Sequence, residues 1–274
     1  QVADMFPGSG SGRYMRPYLA GDTIYFACDT GTTGFELCAH DTSNASTWLV
    51  MDIVPGPNSG YNLGMILAGD TLYFNARAYD SNGDFESLFL MAYQPGEITT
   101  IGSVYDIPEN YSGSGEFSLV KDLWVDSWAS GSSVTRTTAV GDIVFFTAHS
   151  NLPEYGTSGD QIFKTDGTEA GTDLVTNMNW AGHSGYPTRL IAVGDTLFFR
   201  ADEGTHGREL WKSDGTEAGT VMIKDINPGG DSSVGDWTPT WHAVIGDTYY
   251  FQANDGTHGW ELWKSDGTEA GTVM

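Results

Sequence analysis

Short runs of β-branched, aromatic and aliphatic residues alternate along the chain with turns rich in Gly, Asp, Ser and Thr. The pattern is clearest near residue 200, where Gly194-Asp195 separates two apolar runs as a tight hairpin turn does. It predicts four strands there, at Arg189 to Val193, Thr196 to Ala201, Glu209 to Lys212 and Thr220 to Ile226. No stretch of helix length shows apolar residues at a spacing of 3.6. The local pattern therefore predicts antiparallel β-structure.

The same pattern repeats along the whole chain. Residues 204–222 return at 256–274, a shift of 52 positions with one difference, Arg208 against Trp260. A Gly-Asp pair before an apolar run occurs five times, at Gly21, Gly69, Gly141, Gly194 and Gly246. A triplet similar to Glu-Leu-Trp follows each pair, at residues 36–38, 87–89, 161–163, 209–211 and 261–263. Four strands in about 50 residues are typical of a propeller blade, so we predict a five-bladed β-propeller.

The repeat boundaries predict a single domain. The blades are expected near residues 16–53, 64–107, 136–178, 189–226 and 241–274 plus 1–5. Residues 1–5 resemble the end of a fourth strand and residues 271–274 resemble the start of one. We therefore expect the two ends to share one strand and close the ring; the alternative is a strand completed between neighbouring chains, which would build a polymer.

An insertion of about 109–135 interrupts the repeat. It contains Trp124 and Trp128 in a stretch rich in Gly and Ser. Long loops on a rigid scaffold often carry function, but such a segment can equally pack over the edge of a blade.

The net charge of the chain limits the classes of molecule that it can bind. Its 274 residues include 36 acidic and 12 basic side chains, a formal net charge of -24. Such a surface repels phosphate backbones and anionic lipids, so neither nucleic-acid binding nor membrane insertion is expected. No apolar run approaches the roughly 20 residues of a membrane-spanning helix. Clustered carboxylates would attract calcium, although solubility alone also explains many of them.

The chain starts at Gln1 with no initiator methionine and no signal peptide, which favours a processed chain that is secreted or held at the cell surface. Asn44 and Asn110 each begin an Asn-X-Ser tripeptide and would accept glycans in an exported protein.

Residues 209–220 and 261–272 read Glu-Leu-Trp-Lys-Ser-Asp-Gly-Thr-Glu-Ala-Gly-Thr, and residues 161–168 read Gln-Ile-Phe-Lys-Thr-Asp-Gly-Thr. This run resembles the ELWxxDGT repeat of predicted exported bacterial and archaeal proteins. The resemblance implies export and a propeller-like fold, and it brings no catalytic residues with it.

Cys28 and Cys38 are the two cysteines of the chain. Aligned repeats place Cys28 at the position of Ala201 and Cys38 at that of Trp211, on the two arms of one hairpin. We expect a disulfide, and hence an oxidising compartment, with two buried free thiols as the alternative.

A second candidate site lies between the second and third strands of the second repeat. Asp80, Asn82, Asp84 and Glu86 place oxygen side chains at alternate positions, a spacing that lets a tight loop surround calcium. The alternative is a solvated turn.

Three arginines share one repeat position, five residues before the Gly-Asp pair: Arg16, Arg136 and Arg189. In a propeller this position is near the central channel. The arginines would form either a pocket for an anion or sugar acid, or a ring of ion pairs with Asp4, Asp52, Asp106 and Asp225.

These observations favour a binding or structural role over catalysis. The repeated inner position carries no acid, as a five-bladed glycoside hydrolase would need, and no Gly-x-Ser-x-Gly turn occurs. We therefore expect an extracellular, calcium-stabilised, non-catalytic propeller that assembles with itself into a sheath, matrix or filament. The alternatives are a lectin-like protein that binds extracellular glycans and a five-bladed glycoside hydrolase.

Overall fold

A computed structural model describes residues 17–29, 34–51, 61–79, 85–94, 97–101, 117–119, 134–149, 160–180, 183–229, 234 and 242–274. These residues form β-strands joined by turns, so the protein is all-β. No helix in this part of the chain has the length and apolar character needed to cross a membrane.

The chain divides into two compact units, one of residues 1–135 with 167–169 and the other of residues 136–166 with 170–274. The described residues of the first unit form two sheets. The first sheet has the strands β1 (Tyr18–Ala20), β2 (Thr23–Asp29), β3 (Phe35–Asp41) and β4 (Ser46–Met51). The second has β5 (Tyr61–Ala68), β6 (Thr71–Tyr79), β7 (Phe85–Gln94), β8 (Glu97–Ile101) and β9 (Phe117–Leu119).

In the second unit, the part of the chain that the structure describes forms three larger sheets and one short ribbon. The third sheet has β10 (Thr135–Val140), β11 (Ile143–His149), β12 (Asp160–Thr165) and β13 (Asp173–Thr176). The ribbon pairs β14 (Asn179–Trp180) with β15 (His183–Ser184). The fourth sheet has β16 (Thr188–Val193), β17 (Thr196–Asp202), β18 (Arg208–Ser213) and β19 (Val221–Lys224). The last sheet has β20 (His242–Ile245), β21 (Thr248–Asn254) and β22 (Trp260–Ser265).

The prediction of antiparallel, four-stranded sheets is confirmed for the first, third and fourth sheets, whereas the second sheet adds the parallel strand β9 and the last sheet has three strands among the described residues. In each sheet the strands pair in chain order, and the Gly-Asp pairs form two-residue hairpin turns, as between Val193 and Thr196. Gly194 has φ 56°, a left-handed backbone that glycine adopts without a steric penalty. In the last sheet a bridge between Lys264 and Val273 occupies the position where the fourth strand begins in the preceding sheet.

The insertion contributes one short strand. Residues Phe117–Leu119 form β9, which pairs in parallel with β8 at the edge of the second sheet. This part of the insertion therefore extends a sheet edge.

In the second repeat, the strand pairing differs from the one that the alignment of the repeats predicts. Phe74 pairs with Met91, in the relationship that Phe199 has with Trp211 in the fourth sheet. The residues equivalent to Glu-Leu-Trp are thus 89–91, two positions later than the sequence comparison placed them. An irregular register near Tyr79 lengthens this hairpin, and spacing alone does not reveal such a shift.

Successive sheets pack face to face inside each unit. In the second unit, Phe198, Leu210 and Ile223 of the fourth sheet form one core cluster with Phe251 and Trp263 of the last sheet. An analogous cluster joins the third and fourth sheets. The fourth sheet therefore uses one face to cover the third sheet and the other to receive the last sheet.

Candidate binding surface

The Asp-Gly-Thr turn is held by hydrogen bonds between its own residues. In the fourth sheet, Asp214 Oδ1 accepts hydrogen bonds from the backbone N–H and the hydroxyl of Thr216, at 2.9 and 2.7 Å. The N–H of Gly219 donates to Thr216 Oγ1 at 3.0 Å, and the hydroxyls of Ser213 and Thr220 are 2.8 Å apart. The hydroxyl of Thr216 holds the pKa of Asp214 below its ordinary value. The same bonds recur in residues 265–272, so the repeated aspartate stabilises its own turn.

The first sheet builds this turn from different residues. Asp41 accepts hydrogen bonds from the backbone N–H and hydroxyl of Ser43 at 2.8 and 2.6 Å. The ring of His40 contacts Thr47 Oγ1 at 2.7 Å, in the place of the Ser213–Thr220 pair. Sequence comparison did not find this turn, because an aspartate two residues before a hydroxyl is a weak signal without the glycines.

Each Asp-Gly-Thr turn of the second unit lies on the preceding sheet. A methyl group added at Gly215 would be 3.2 Å from Phe145 Cζ and 3.5 Å from Lys164 Cδ. One added at Gly267 would be 3.1 Å from Phe198 Cζ and 3.7 Å from Lys212 Cδ. We call this ring and lysine pair the turn seat. The seat is tight for a side chain, and both glycines have a left-handed backbone, with φ angles of 87° and 84°, so this position of the turn favours glycine.

The first residue of the Glu-Leu-Trp triplet holds the end of the fourth strand. Glu209 is fully buried, and its Oε2 accepts a hydrogen bond from the backbone N–H of Ile226 at 3.2 Å. Gln161 is also fully buried and accepts from the N–H of Met178 at 2.7 Å. This position therefore needs a side-chain oxygen acceptor, which both Glu and Gln supply.

The last sheet presents a face that the fourth sheet buries. Leu262 is 68% exposed, whereas Leu210, the equivalent residue one repeat earlier, is 2% exposed. Ile245 is 67% exposed against 4% for its equivalent Val193. Strand register places these residues on the same side as Tyr250, Gln252, Trp260 and Lys264. We call the surface formed by Ile245, Tyr250, Gln252, Trp260, Leu262 and Lys264 the open face.

A groove of about 370 Å³ runs over the open face. Its lining residues are Tyr250, Trp260 and Leu262 together with the polar residues Gln252 and Glu261. Aromatic rings beside a few hydrogen-bonding groups are suited to packing against a protein surface and to stacking on a sugar.

The loops that contain His206 and His258 are closed by carboxylates three residues earlier. The ring of His258 contacts Asp255 Oδ2 at 2.7 Å, and the ring of His206 contacts Glu203. The hydrogen bond with the partner raises the pKa of each histidine. These contacts make both histidines part of the repeat scaffold.

Arg136 and Arg189 share an uncommon backbone conformation. Their φ angles are 50° and 56°, in the left-handed region that residues other than glycine seldom adopt. Arg136 forms an ion pair of 3.7 Å with Asp160, an aspartate that the sequence comparison did not single out. The hydroxyl of Thr138 donates to the carbonyl of Leu190 at 2.8 Å, so the strands carrying the two arginines are neighbours. Arg16, the third predicted member, lies outside the described residues.

The predicted disulfide is confirmed. Cys28 and Cys38 are bonded, with their Cα atoms 5.8 Å apart across β2 and β3. Cys38 pairs directly with Phe26, so the bond crosses the hairpin diagonally. A disulfide indicates an oxidising environment.

The remaining predicted sites are described only in part. Asp80, Asn82 and Asp84 lie outside the described residues, and Glu86 is in β7. Among the described residues no group of three or more His, Cys, Asp or Glu is placed to hold a metal ion. Asn44 lies in the exposed turn between β3 and β4, where its side chain donates to Asp41 at 2.7 Å. Asn110 is outside the described ranges.

No protein-family model matches this sequence, and no curated protein matches it. Among solved structures, the chain is similar to TolB from Acinetobacter baumannii, with 14% identity and a TM-score of 0.43 over 95% of this chain and 53% of that one. It is similar to the acylaminoacyl peptidase of Pyrococcus horikoshii, with 11% identity and a TM-score of 0.49 over 93% of this chain and 38% of that one. It is also similar to the β-propeller domain of the Trilobed protease from Pyrococcus furiosus, with 9% identity and a TM-score of 0.42 over 92% and 81%.

The chain thus spans about half the length of TolB and about two fifths of the peptidase. At these scores the similarities add no argument about fold or activity to the sheets described above.

Proposed function

We propose that this chain is a non-catalytic β-propeller module of the ELWxxDGT type that acts outside the cell and joins other molecules through its open face. The observation that carries the proposal is the exposure of Leu262, 68% against 2% for Leu210, within two identical stretches of sequence. A side chain that the repeat buries in one sheet is available for contact in the next.

The apolar character of the open face supports an interaction role. Ile245, Trp260 and Leu262 are 67%, 47% and 68% exposed on the same side of one sheet. Single apolar residues are common on protein surfaces, but adjacent large ones on a flat sheet indicate a site of association.

The roles of the repeated acids support a non-catalytic module. Asp214 and Asp266 are engaged by their own turns, and Glu209 accepts a backbone N–H. Each of these carboxylates therefore has a structural task that explains its repetition. Reaction chemistry is not needed to account for them.

Action outside the cell is supported by the Cys28–Cys38 disulfide and by the net charge of -24, which favours solubility and disfavours nucleic acid as a partner. The resemblance to a family of exported repeat proteins points the same way.

The finer architecture stays a prediction from the sequence. The repeats would form five propeller blades. A closed ring, in which the first sheet packs on the last, would cover the open face. The proposed function therefore requires the alternative arrangement, in which residues 1–5 of a neighbouring chain complete the sheet of β20–β22. Small-angle X-ray scattering at low protein concentration checks it, because a closed ring has a smaller radius of gyration than an open row of sheets.

Self-association is tested by sedimentation velocity and negative-stain microscopy of the natively purified protein. The informative variant is Leu262→Asp, which places a charge on the open face. The matched control is Leu19→Asp, at a leucine of the first sheet that is 62% exposed. We expect oligomers or filaments that the first variant abolishes and the second retains; equal behaviour of the two variants would contradict an assembly role for the open face.

A lectin-like function is the second candidate, because the groove places Trp260 and Tyr250 beside Gln252 and Glu261. Titration with acidic and neutral oligosaccharides, followed by tryptophan fluorescence, tests it. Binding that Trp260→Ala abolishes would favour this candidate, and an unchanged signal with all sugars would remove it.

A further inference from the structure

The chain leaves the fourth sheet through residues 225–227, and these residues lie against the last sheet. Ile226 is 4% exposed and belongs to the core cluster that contains Trp263 of the last sheet. Asn227 follows it, and Asn227 Oδ1 occupies the place of a methyl group added at Gly256, in the loop between β21 and β22. Residues 225–227, which we call the joint, therefore connect the fourth sheet to the last sheet.

A buried carboxylate holds the joint. Glu209 is fully buried, and its Oε2 accepts the hydrogen bond from the backbone N–H of Ile226 at 3.2 Å. In the third sheet the neutral side chain of Gln161 makes the equivalent bond with the N–H of Met178. Burying a carboxylate costs more free energy than burying an amide, so the bond from Glu209 depends on positive charge nearby.

The ring of His206 is placed to supply that charge. It contacts Glu203 Oε1, which also accepts a hydrogen bond from the backbone N–H of His206 at 2.9 Å. The negative charges of Glu203, Asp225 and Glu209 all act on the ring. Oδ1 of Asp225 and Oε2 of Glu203 are buried, and neither accepts a hydrogen bond from the part of the chain that the structure describes. A neutral imidazole would therefore leave three neighbouring carboxylates with less compensation.

Other charged residues lie in the elements that border this loop and in the loop of the last sheet that contacts the joint. They are Arg200, Asp202, Arg208, Lys212, Lys224, Asp255 and His258. Lys224 Nζ donates to the carbonyl of Thr272 at 2.9 Å, and His258 contacts Asp255.

We propose that His206 is a pH-sensitive switch, which holds the joint on Glu209 when it is protonated and loosens the joint, and with it the last sheet, when it is neutral. The inference does not depend on the open face. The hydrogen bond with Glu203 raises the pKa of His206. The stabilisation is therefore complete below about pH 6.5 and is lost as pH rises through the raised folded value.

His258 provides a matched comparison within the same chain. Its loop repeats the loop of His206, and its ring contacts Asp255. The charges that act on this ring come from Asp255 and Glu261. Glu261 is exposed, whereas Glu209 is fully buried and holds the joint. We therefore expect titration of His258 to affect its own loop and to leave the joint unchanged.

Amide hydrogen exchange of the full chain, followed by NMR and corrected for intrinsic rates, tests the switch. Between about pH 6 and about pH 9 we expect a several-fold fall in the protection of the Ile226 amide. The Met178 amide, which bonds to the neutral Gln161, should keep its protection and is the internal control. The midpoint of the change at Ile226 should coincide with the midpoint of the His206 ring titration, measured by NMR in the same samples.

Three variants identify the group that titrates. His206→Asn should remove the pH dependence at Ile226, and the matched variant His258→Asn should retain it. Glu209→Gln copies the neutral acceptor of the third sheet, so it should keep the Ile226 amide protected and reduce its response to pH.

Any of four results would overturn the proposal. Protection at Ile226 does not change with pH in the wild-type protein; Met178 loses protection together with Ile226, which indicates general unfolding; His206→Asn keeps the response or His258→Asn removes it; or the midpoint at Ile226 differs from that of the His206 ring. The last comparison uses the wild-type protein alone, so it decides the matter even when a variant fails to fold.

Discussion

The Nζ atom of Lys164 lies 2.7 Å from the carbonyl oxygen of Gly215, 51 residues further along the chain, and donates a hydrogen bond to it. The bond joins the third sheet to the turn of the fourth. It gives the lysine of the Glu-Leu-Trp-Lys motif a role that its position within one repeat does not show, since its partner belongs to the next repeat.

Replacing Lys164 by Met should weaken this contact between sheets. The apolar stem of the side chain is retained while the hydrogen bond is lost, so we expect a decrease of about 1 kcal/mol in the free energy of unfolding. Urea denaturation followed by tryptophan fluorescence measures it. Lys264→Met is the matched control, because Lys264 is exposed, and its effect should be within about 0.5 kcal/mol. Equal effects of the two variants would show that the bond to Gly215 adds nothing.

Gly219→Ala should destabilise the Asp-Gly-Thr turn. The added methyl group would overlap the carboxylate of Asp214, which the bonds from Thr216 hold in place. The backbone of Gly219 is not left-handed, so steric overlap is the relevant term, and we expect a loss of about 2 kcal/mol. In an Asp214→Ala background the same change should be nearly neutral. A double-mutant cycle by chemical denaturation measures the coupling, and additive effects would contradict the overlap.

The disulfide should stabilise the first sheet. It closes a loop with a sequence separation of 10. Restricting the unfolded chain in this way should raise the free energy of unfolding by about 2–3 kcal/mol. The double variant Cys28→Ser, Cys38→Ser should lower the melting temperature to that of the reduced wild-type protein. The variant itself should not respond to reductant. A wild-type melting temperature that reductant does not change would contradict this role.

The loop of His258 should lose stability as pH rises through neutrality. Its hydrogen bond with Asp255 raises the pKa of the histidine, so this contribution is complete below about 6.5 and is lost as pH rises through the raised folded value. Bonds from the backbone and ring of His258 lower the pKa of Asp255, so that contribution is complete above about 3.9 and is lost as pH falls through the lowered folded value.

The loop should therefore be most stable between about pH 4 and 6.5. Hydrogen exchange of residues 255–259, corrected for intrinsic rates, should show less protection at high pH than within this window. His258→Asn should abolish the pH dependence. A flat profile in the wild-type protein would show that the ion pair does not stabilise the loop.

Calcium should raise the melting temperature if the loop of Asp80, Asn82 and Asp84 binds it. A ligand at one hundred times its dissociation constant adds about 2.7 kcal/mol to the free energy of unfolding. Chelator should remove this gain in the wild-type protein, and Asp84→Asn should show no such response. Asp195→Asn, at an exposed hairpin turn, is the control and should keep the response. A wild-type melt that chelator leaves unchanged would count against the site.

Much of the local structure followed from the sequence. The Gly-Asp turns, the period of 52 and the alternation of apolar residues predicted the four strands between residues 188 and 224 to within one or two positions at each end. These signals are local, because a tight turn and a half-buried strand each restrict residues that are adjacent in the chain. The disulfide was predictable for a related reason, since both cysteines lie on one hairpin.

Other features were not predictable because their causes lie elsewhere in the fold. The two-residue offset in the second repeat, the partner of Arg136 and the turn seat of Phe145 and Lys164 all depend on residues that pair or pack from distant positions. Sequence comparison treated the glycines of the Asp-Gly-Thr turn as turn residues. Their second role, contact with the preceding sheet, appears only when two sheets are placed together.

Residues 209–220 and 261–272 show which features the local sequence determines and which depend on tertiary packing. Their sequences are identical, and both form a strand followed by the same hydrogen-bonded turn. Yet Leu210 is buried and Leu262 is exposed. The sequence by itself determined the strand, the turn and the side of the sheet on which each leucine lies, since these depend on backbone geometry over a few residues. Tertiary structure alone decided which of the two leucines is covered, because burial depends on whether another sheet packs on that side.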